Sequence, residues 1–240
     1  MNIIELRKEI EQKLADSKDI FAYLRTKDIL VLKGFLEKVD TEIQKLFYEM
    51  FPPSEELKQE METSLKDLFS DDEKTRVKAS KYLEKQPRLT INSNTQSWIK
   101  DPRAIDILLR ALNDNNLEVQ KNILDMLGTI SHRYNYSANN VYNTILKKYN
   151  SSNIDLKFYI ARSICQFPYQ EKWQYVYDTF KNTTKTKEKE VLARVIGWDY
   201  ENIPADYKEK FLSQIAEFLK NEKNENTIDS LEKLQKKLLG

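Results

Sequence analysis

The sequence predicts an all-α protein built as a solenoid of helical hairpins, and three observations carry this prediction. Apolar residues recur at helical spacing along most of the chain. Short polar runs interrupt this spacing repeatedly, where turns between helices are expected. Only four of the 240 residues are glycines, too few to supply the turns of a many-stranded β fold.

The first block of the chain, residues 1–53, has helical spacing and ends at Pro52 and Pro53. We interpret this block as an N-terminal helical cap. The solenoid then occupies residues 54–240 as one continuous structural domain. A separate helical lobe for the first block is the alternative interpretation.

The second block contains helix pairs in series, of which residues 101–130 form the clearest. Asp101 is a suitable N-cap, and Pro102 stands at the first helical position, where its missing N–H costs no hydrogen bond. The polar residues 113–116 favour a turn between the two helices of this pair. The other pairs are expected at residues 56–69 with 73–85, 138–149 with 154–167, 170–180 with 188–199, and 205–220 with 227–239.

The second helices share an apolar pair four residues apart, which predicts a common buried face. The first members of successive pairs lie 44, 37 and 32 residues apart. A repeat of this length indicates hairpins that bury their apolar faces by stacking on one another. The pairs are Ala79/Leu83, Ile123/Leu127, Ile160/Ile164 and Leu192/Ile196, with Leu231 in the last helix.

The hairpin at residues 101–130 resembles the HEAT repeat family. The residues that match are Asp101-Pro102-Arg103-Ala104-Ile105, Leu108-Leu109-Arg110-Ala111-Leu112, Asp114, Glu118-Val119, Ile123 and Leu127-Gly128. The resemblance implies a right-handed superhelical solenoid of about five HEAT-like hairpins with an N-terminal helical cap. It also implies a scaffold without enzymatic activity that binds a macromolecular partner, in the first place a protein, on its concave face.

Composition excludes several kinds of chemistry. His132 is the only histidine and Cys165 the only cysteine, so neither a multi-histidine metal site nor a disulfide within the chain is available. Glycine-rich phosphate loops are absent from the sequence. We therefore expect no catalytic residue, no metal and no small-molecule cofactor. Cys165 is expected in the core, and His132 is expected to stabilise a helix C-terminus.

The charge balance and the hydropathy pattern bear on partners and location. The chain has 39 basic and 38 acidic residues, a net charge of +1, which argues against a strongly basic nucleic-acid binder. Residues 1–20 are rich in charge, and no stretch approaches the roughly 18 apolar residues of a membrane span. We therefore expect a cytoplasmic protein that contacts no membrane.

Eight residues form the candidate partner-binding surface. Most are basic residues of the second helices, which usually line the concave face. Trp173 and Trp198 could stack on bases, and Trp98 lies in a loop that could project toward a ligand. The alternatives are a solvated helix face for the charges and a packed loop insertion for residues 86–100. For the aromatic cluster the alternative is the core; this cluster consists of Trp173, Tyr175, Tyr177, Trp198 and Tyr200. The eight residues are Arg76, Lys81, Lys85, Trp98, Arg162, Trp173, Arg194 and Trp198.

A second resemblance is to the bacterial HEAT-like-repeat alkylpurine DNA glycosylases. Tyr23-Leu24-Arg25 is similar to that family's N-terminal stretch, and Val195-Ile196-Gly197-Trp198 to the helix that presents one of its base-stacking tryptophans. The repeat phase places the family's catalytic Trp-and-Asp segment on residues 116–120, which contain neither, and its DNA-contacting arginine near Phe158. The resemblance thus implies loss of the catalytic residues and of excision activity.

A DNA-binding or DNA-repair protein is therefore the alternative function. Under the scaffold interpretation we expect duplex DNA binding by this chain to be weak, with a dissociation constant above about 1 μM at physiological salt. The charge of the groove separates the two functions. A continuous positive groove favours DNA, whereas a mixed-charge or apolar groove favours a protein partner.

Overall fold

The computed structural model describes residues 55–89, 101–134 and 138–240. Within these ranges the secondary structure consists of helices alone, which confirms the all-α prediction. The helices are α1 (Glu55–Asp67), α2 (Glu73–Leu89), α3 (Pro102–Ala111), α4 (Leu117–Tyr134), α5 (Asn139–Ser151), α6 (Ile154–Ile164), α7 (Lys172–Asn182), α8 (Thr186–Ile196), α9 (Ala205–Asn221) and α10 (Glu225–Leu239), with a 3-10 helix at Tyr200–Asn202.

The helices form two layers, as the repeat pattern predicts. The second helices pack in sequence, α2 on α4, α4 on α6, α6 on α8 and α8 on α10. The first helices form the other layer, in which α3 contacts α5 and α7 contacts α9. Each layer is therefore built by contacts between successive repeats, as in an all-α solenoid.

The core lies between the layers and contains the apolar pairs that the sequence identified. Leu83, Ile123, Ile160, Leu192 and Leu231 are completely buried, and the other members of the pairs are at most 4% exposed. Cys165 is also buried, as expected. The period read from the sequence therefore gave the correct inward face of every second helix.

Polar side chains cap the N-termini of several helices by accepting hydrogen bonds from unpaired backbone N–H groups. Asp101 accepts from the N–H of Arg103 at 2.9 Å, before α3. Asn153 and Asn224 do the same before α6 and α10, at 2.9 and 3.1 Å. These caps explain why short Asn- and Asp-rich runs separate the helices.

Two second helices approach each other closely at Gly128 in α4. A Cβ atom at this position would lie 3.1 Å from both the Cα atom and the carbonyl oxygen of Ser163 in α6. The Ser163 hydroxyl donates to the carbonyl of Leu124 at 2.7 Å. Glycine and serine at these positions therefore allow the two helices to come into contact.

The structure differs most from the predicted boundaries at two helix ends. α2 continues to Leu89, through Pro87, and α4 continues to Tyr134. His132 therefore lies in the last turn of α4 and does not follow the helix. The Tyr134 hydroxyl donates to the carbonyl of Pro87 at 2.7 Å, which joins the two extended ends. The predicted cap at residues 1–53 lies outside the described residues.

Candidate functional site

A groove of about 750 Å³ runs along the layer of second helices. Its walls come from α2, α4, α6, α8 and α10 and from the segment after α8. The lining residues are Arg88, Asp125, Thr129, His132, Arg133, Arg162, Gln166, Val191, Arg194, Val195, Gly197, Trp198, Tyr200 and Lys237.

The groove is rich in positive charge. Five of its lining side chains are arginine or lysine, and one, Asp125, is a carboxylate. Arg133 donates to the carbonyl oxygen of Arg88 at 3.1 Å, and Lys237 donates to the carbonyl oxygen of Gly197 at 2.6 Å. Both cations are thus held in place by carbonyl groups, which carry no opposing charge.

The other arginines of the groove have carboxylate partners. Arg88 pairs with Glu84, and Arg162 pairs with Asp125. Arg194 has a looser partner, because the Arg194–Glu190 distance between nitrogen and oxygen is 3.8 Å. The side chain of Arg194 is 54% exposed, so it can turn toward a ligand at little cost.

Asp125, the carboxylate that lines the groove, is largely buried and has a raised pKa. Its side chain is 13% exposed, and its Oδ1 atom is buried without a hydrogen-bond partner among the described residues. Burial raises the pKa of this carboxyl to about 6, although the charge of Arg162 and the hydrogen bond to it act in the opposite direction. Desolvation therefore outweighs the ion pair at this position.

Trp198 is the large exposed aromatic residue of the groove. It is 57% exposed and stacks on His132 of α4, with ring centroids 5.8 Å apart and ring planes at 21°. One face of the indole is thus supported by a ring from a different repeat. The remaining exposed surface of the indole is available to a ligand.

Buried residues fix the backbone that follows Trp198. Lys172 pairs with Asp199, and the Trp173 indole N–H donates to the carbonyl of Asn202 at 3.1 Å. The Asn202 amide in turn donates to Asp199 at 2.6 Å. These bonds hold the segment after α8 against the start of α7.

The structure brings together three of the eight residues proposed from sequence, namely Arg162, Arg194 and Trp198. Trp173 is completely buried, so the prediction that it contacts a partner is wrong. Its indole fills the core and contacts Phe211 edge to face.

The remaining proposed residues lie elsewhere or outside the described ranges. Arg76 of α2 donates to Asp114, in the turn between α3 and α4, at 2.6 Å, and its side chain is 18% exposed. Lys81 and Lys85 line a separate surface of α2. Trp98 lies outside the described residues.

The repeat phase of the sequence placed the glycosylase-like site on residues that do not line the groove. It assigned the catalytic carboxylate to residues 116–120, where Gln120 donates to the carbonyl of Asp114 at the hairpin turn. It assigned the arginine to Phe158, which is 4% exposed. The groove contains instead the carboxylate of Asp125 and the guanidinium of Arg162.

A signal in the sequence could have identified these residues. Positions two and six residues after the first member of each apolar pair lie one helical turn apart, on one face. In the repeats of α4, α6 and α8 they hold the groove residues Asp125 and Thr129, Arg162 and Gln166, and Arg194 and Trp198, of which Gln166 and Trp198 lie two residues beyond their helices. In α2 the same positions hold Lys81 and Lys85, which line a separate surface.

The described ranges contain neither a metal-binding cluster nor a membrane-spanning helix. No group of three or more His, Cys, Asp or Glu residues there could hold a metal ion. No helix in this part of the chain is long and apolar enough to cross a membrane.

The fold and the groove define an all-α helical-repeat protein with a cationic groove on its second helices. No protein-family model matches the chain, and no curated protein matches it. Among solved structures, one engineered protein is similar at 13% identity and a TM-score of 0.51, covering 84% of this chain and 59% of the engineered one. This similarity supports the fold alone.

Two further structures are similar with lower TM-scores. A second engineered protein has 13% identity and a TM-score of 0.44, covering 75% of this chain and 96% of its own. A designed armadillo repeat protein has 12% identity and a TM-score of 0.37, covering 73% and 98%.

Proposed function

We propose that this chain is a non-enzymatic binding protein whose groove takes single-stranded DNA. The observation that carries the proposal is the groove itself, where five arginine or lysine side chains and an exposed tryptophan face one carboxylate. A protein partner was the first expectation from the fold. By the charge criterion, a groove of this composition favours a polyanion over a protein.

The cations would contact phosphate groups. Each phosphate neutralised by lysine or arginine releases counterions, and for single strands this contributes about −0.7 to the slope of log affinity against log salt. Arg88, Arg162 and Arg194 are partly neutralised by carboxylates. We therefore expect two to five effective phosphate contacts, a slope between about −1.4 and −3.5, and an affinity of order micromolar.

The tryptophan would contact a base. Stacking of a base on an aromatic side chain contributes roughly 1–3 kcal/mol and needs an unpaired base, since a duplex buries its base faces. Trp198 has the required exposure, and His132 supports its other side. This geometry favours a single strand over a duplex and agrees with weak duplex binding.

Fluorescence anisotropy with a labelled ten-nucleotide oligothymidylate at low salt tests the proposal. Trp198→Ala should weaken binding roughly 5- to 100-fold, the loss of one stacked base. Phe69→Ala is the matched control, because Phe69 is 50% exposed and lies outside the groove. Absence of binding by the wild-type protein, or equal effects of the two substitutions, would overturn the proposal.

A further inference from the structure

We propose that Asp125 acts as an internal anion that competes with a bound phosphate group for Arg162, so that DNA binding is accompanied by proton uptake at Asp125. This inference rests on the proposed function. It adds a specific role for the one carboxylate that lines the groove.

Asp125 lies in the groove beside the guanidinium that a bound phosphate would contact. One carboxylate oxygen pairs with the Arg162 guanidinium, and the other is buried without a hydrogen-bond partner among the described residues. Arg162 is 24% exposed and lines the same groove. A phosphate in the groove can therefore reach this guanidinium from the solvent side, where it competes with the carboxylate.

The charged groups around Asp125 come from the helices on either side of α4. Arg162 of α6 and Arg88 of α2 stabilise its negative charge, and Glu84 of α2 opposes it. The third neighbouring helix, α3, buries Ala104, Ile105, Leu108 and Ala111 in the core. Arg162 exerts the larger influence of the two cations.

A bound phosphate changes this balance in one direction. It draws the Arg162 guanidinium toward itself and adds negative charge beside the carboxylate, and both effects favour the protonated form of Asp125. The pKa of Asp125, already raised to about 6 by burial, should rise further in the complex. Proton uptake should therefore be largest between about pH 6 and pH 7.5.

Linkage then predicts how affinity depends on pH. A rise of one pKa unit on binding makes the affinity about tenfold higher below both pKa values than above them. Wild-type protein should therefore bind oligothymidylate several-fold more tightly at pH 5.5 than at pH 8. Asp125→Asn should remove the competitor, bind about 3- to 10-fold more tightly than wild type at pH 8, and have an affinity that changes little between pH 5.5 and pH 8.

Titration calorimetry with ten-nucleotide oligothymidylate tests the inference. Measurements at pH 6.7 in two buffers of different ionisation enthalpy give the number of protons taken up. We expect a fraction of a proton for wild type and a clear reduction in Asp125→Asn. Asp206→Asn is the control, because it removes a carboxylate that is 62% exposed and lies outside the groove; this variant should keep the proton uptake of the wild type.

Carboxyl ¹³C NMR of the wild-type protein provides a measurement that needs no variant. The pKa of Asp125 should rise when oligothymidylate is added. Binding with equal proton uptake in wild type and Asp125→Asn, or an unchanged pKa of Asp125 in the complex, would overturn this inference alone. A failure to bind oligothymidylate at any pH would instead overturn the proposed function.

Discussion

Lys172, which is almost completely buried, pairs with the carboxylate of Asp199 and so joins the start of α7 to the segment after α8. The Lys172 ammonium also donates to the carbonyl oxygens of Cys165 and Phe167, at 2.9 and 2.5 Å. One side chain thus satisfies two carbonyls just beyond the end of α6 and anchors the residue next to Trp198. The groove therefore depends on a polar contact inside the core.

Replacement of Lys172 by methionine should destabilise the protein by about 3 kcal/mol. The change removes one partner of a largely buried ion pair and leaves two carbonyl oxygens without their donor. Chemical denaturation measures the loss. The control is Lys233→Met, because Lys233 is 72% exposed in its pair with Asp229 and should cost under about 0.5 kcal/mol. Equal losses in the two variants would contradict the structural role of Lys172.

Replacement of Leu127 by alanine should cost about 2–5 kcal/mol, the range for buried leucines. Leu127 is 2% exposed and lies on the inward face of α4, where it belongs to the repeated apolar pairs. Leu239→Ala in the last helix is the control, because that side chain is 71% exposed. A loss below about 1 kcal/mol for Leu127→Ala would show that the assigned inward face of α4 is wrong.

The relative stability of Asp125→Asn should increase with pH. Burial raises the pKa of Asp125 from 3.8 to about 6 in the folded protein, so the folded state binds a proton more tightly than the unfolded chain. That stabilisation is present below about pH 4 and is lost as pH rises through about 6. Between pH 4 and pH 7 the free energy of unfolding of the variant should therefore rise by on the order of 2–3 kcal/mol relative to that of the wild type.

Asp101→Asn provides a control of opposite sign for this experiment. Hydrogen bonds from the Arg103 side chain and backbone lower the pKa of Asp101. The stabilisation from Asp101 is therefore present at neutral pH and is lost in acid, so the asparagine variant should lose relative stability as pH rises. Urea denaturation at several pH values measures both trends, and parallel trends in the two variants would contradict this account.

The apolar period in the sequence was sufficient to predict the fold. Ile123, Ile160 and Leu192 recur at repeat spacing, and each is buried on the inner side of a second helix. The ends of α2 and α4 could not be read from this period, because Pro87 and Tyr134 contact each other across repeats. Such contacts depend on how the hairpins stack, which local sequence does not encode.

The site was only partly predictable, because composition does not show which face a residue occupies. Trp173 and Trp198 belong to one aromatic cluster in the sequence, yet the first is completely buried and the second is 57% exposed. Asp125 was missed because 38 acidic residues give no reason to select one of them. Only its position two residues after Ile123, shared with Arg162 and Arg194 in their own repeats, places it in the groove.

Release of 7-methylguanine from methylated DNA should stay at the spontaneous rate in the presence of excess protein. Excision of a cationic base requires a carboxylate whose charge stabilises the positive sugar of the transition state. In this groove Arg162 already neutralises Asp125, and burial favours the protonated acid. A single-turnover acceleration that disappears in Asp125→Asn would contradict this prediction and show that the protein is an enzyme.

The salt dependence of oligothymidylate binding tests the central claim most directly, namely that the cations of the groove contact phosphates. Wild-type protein should give a slope of log affinity against log salt between about −1.4 and −3.5. The double variant Arg133→Gln/Arg194→Gln should make this slope shallower by about 1.4, whereas Arg103→Gln, a substitution outside the groove, should leave it unchanged. An equal slope in the wild type and the double variant would contradict the claim.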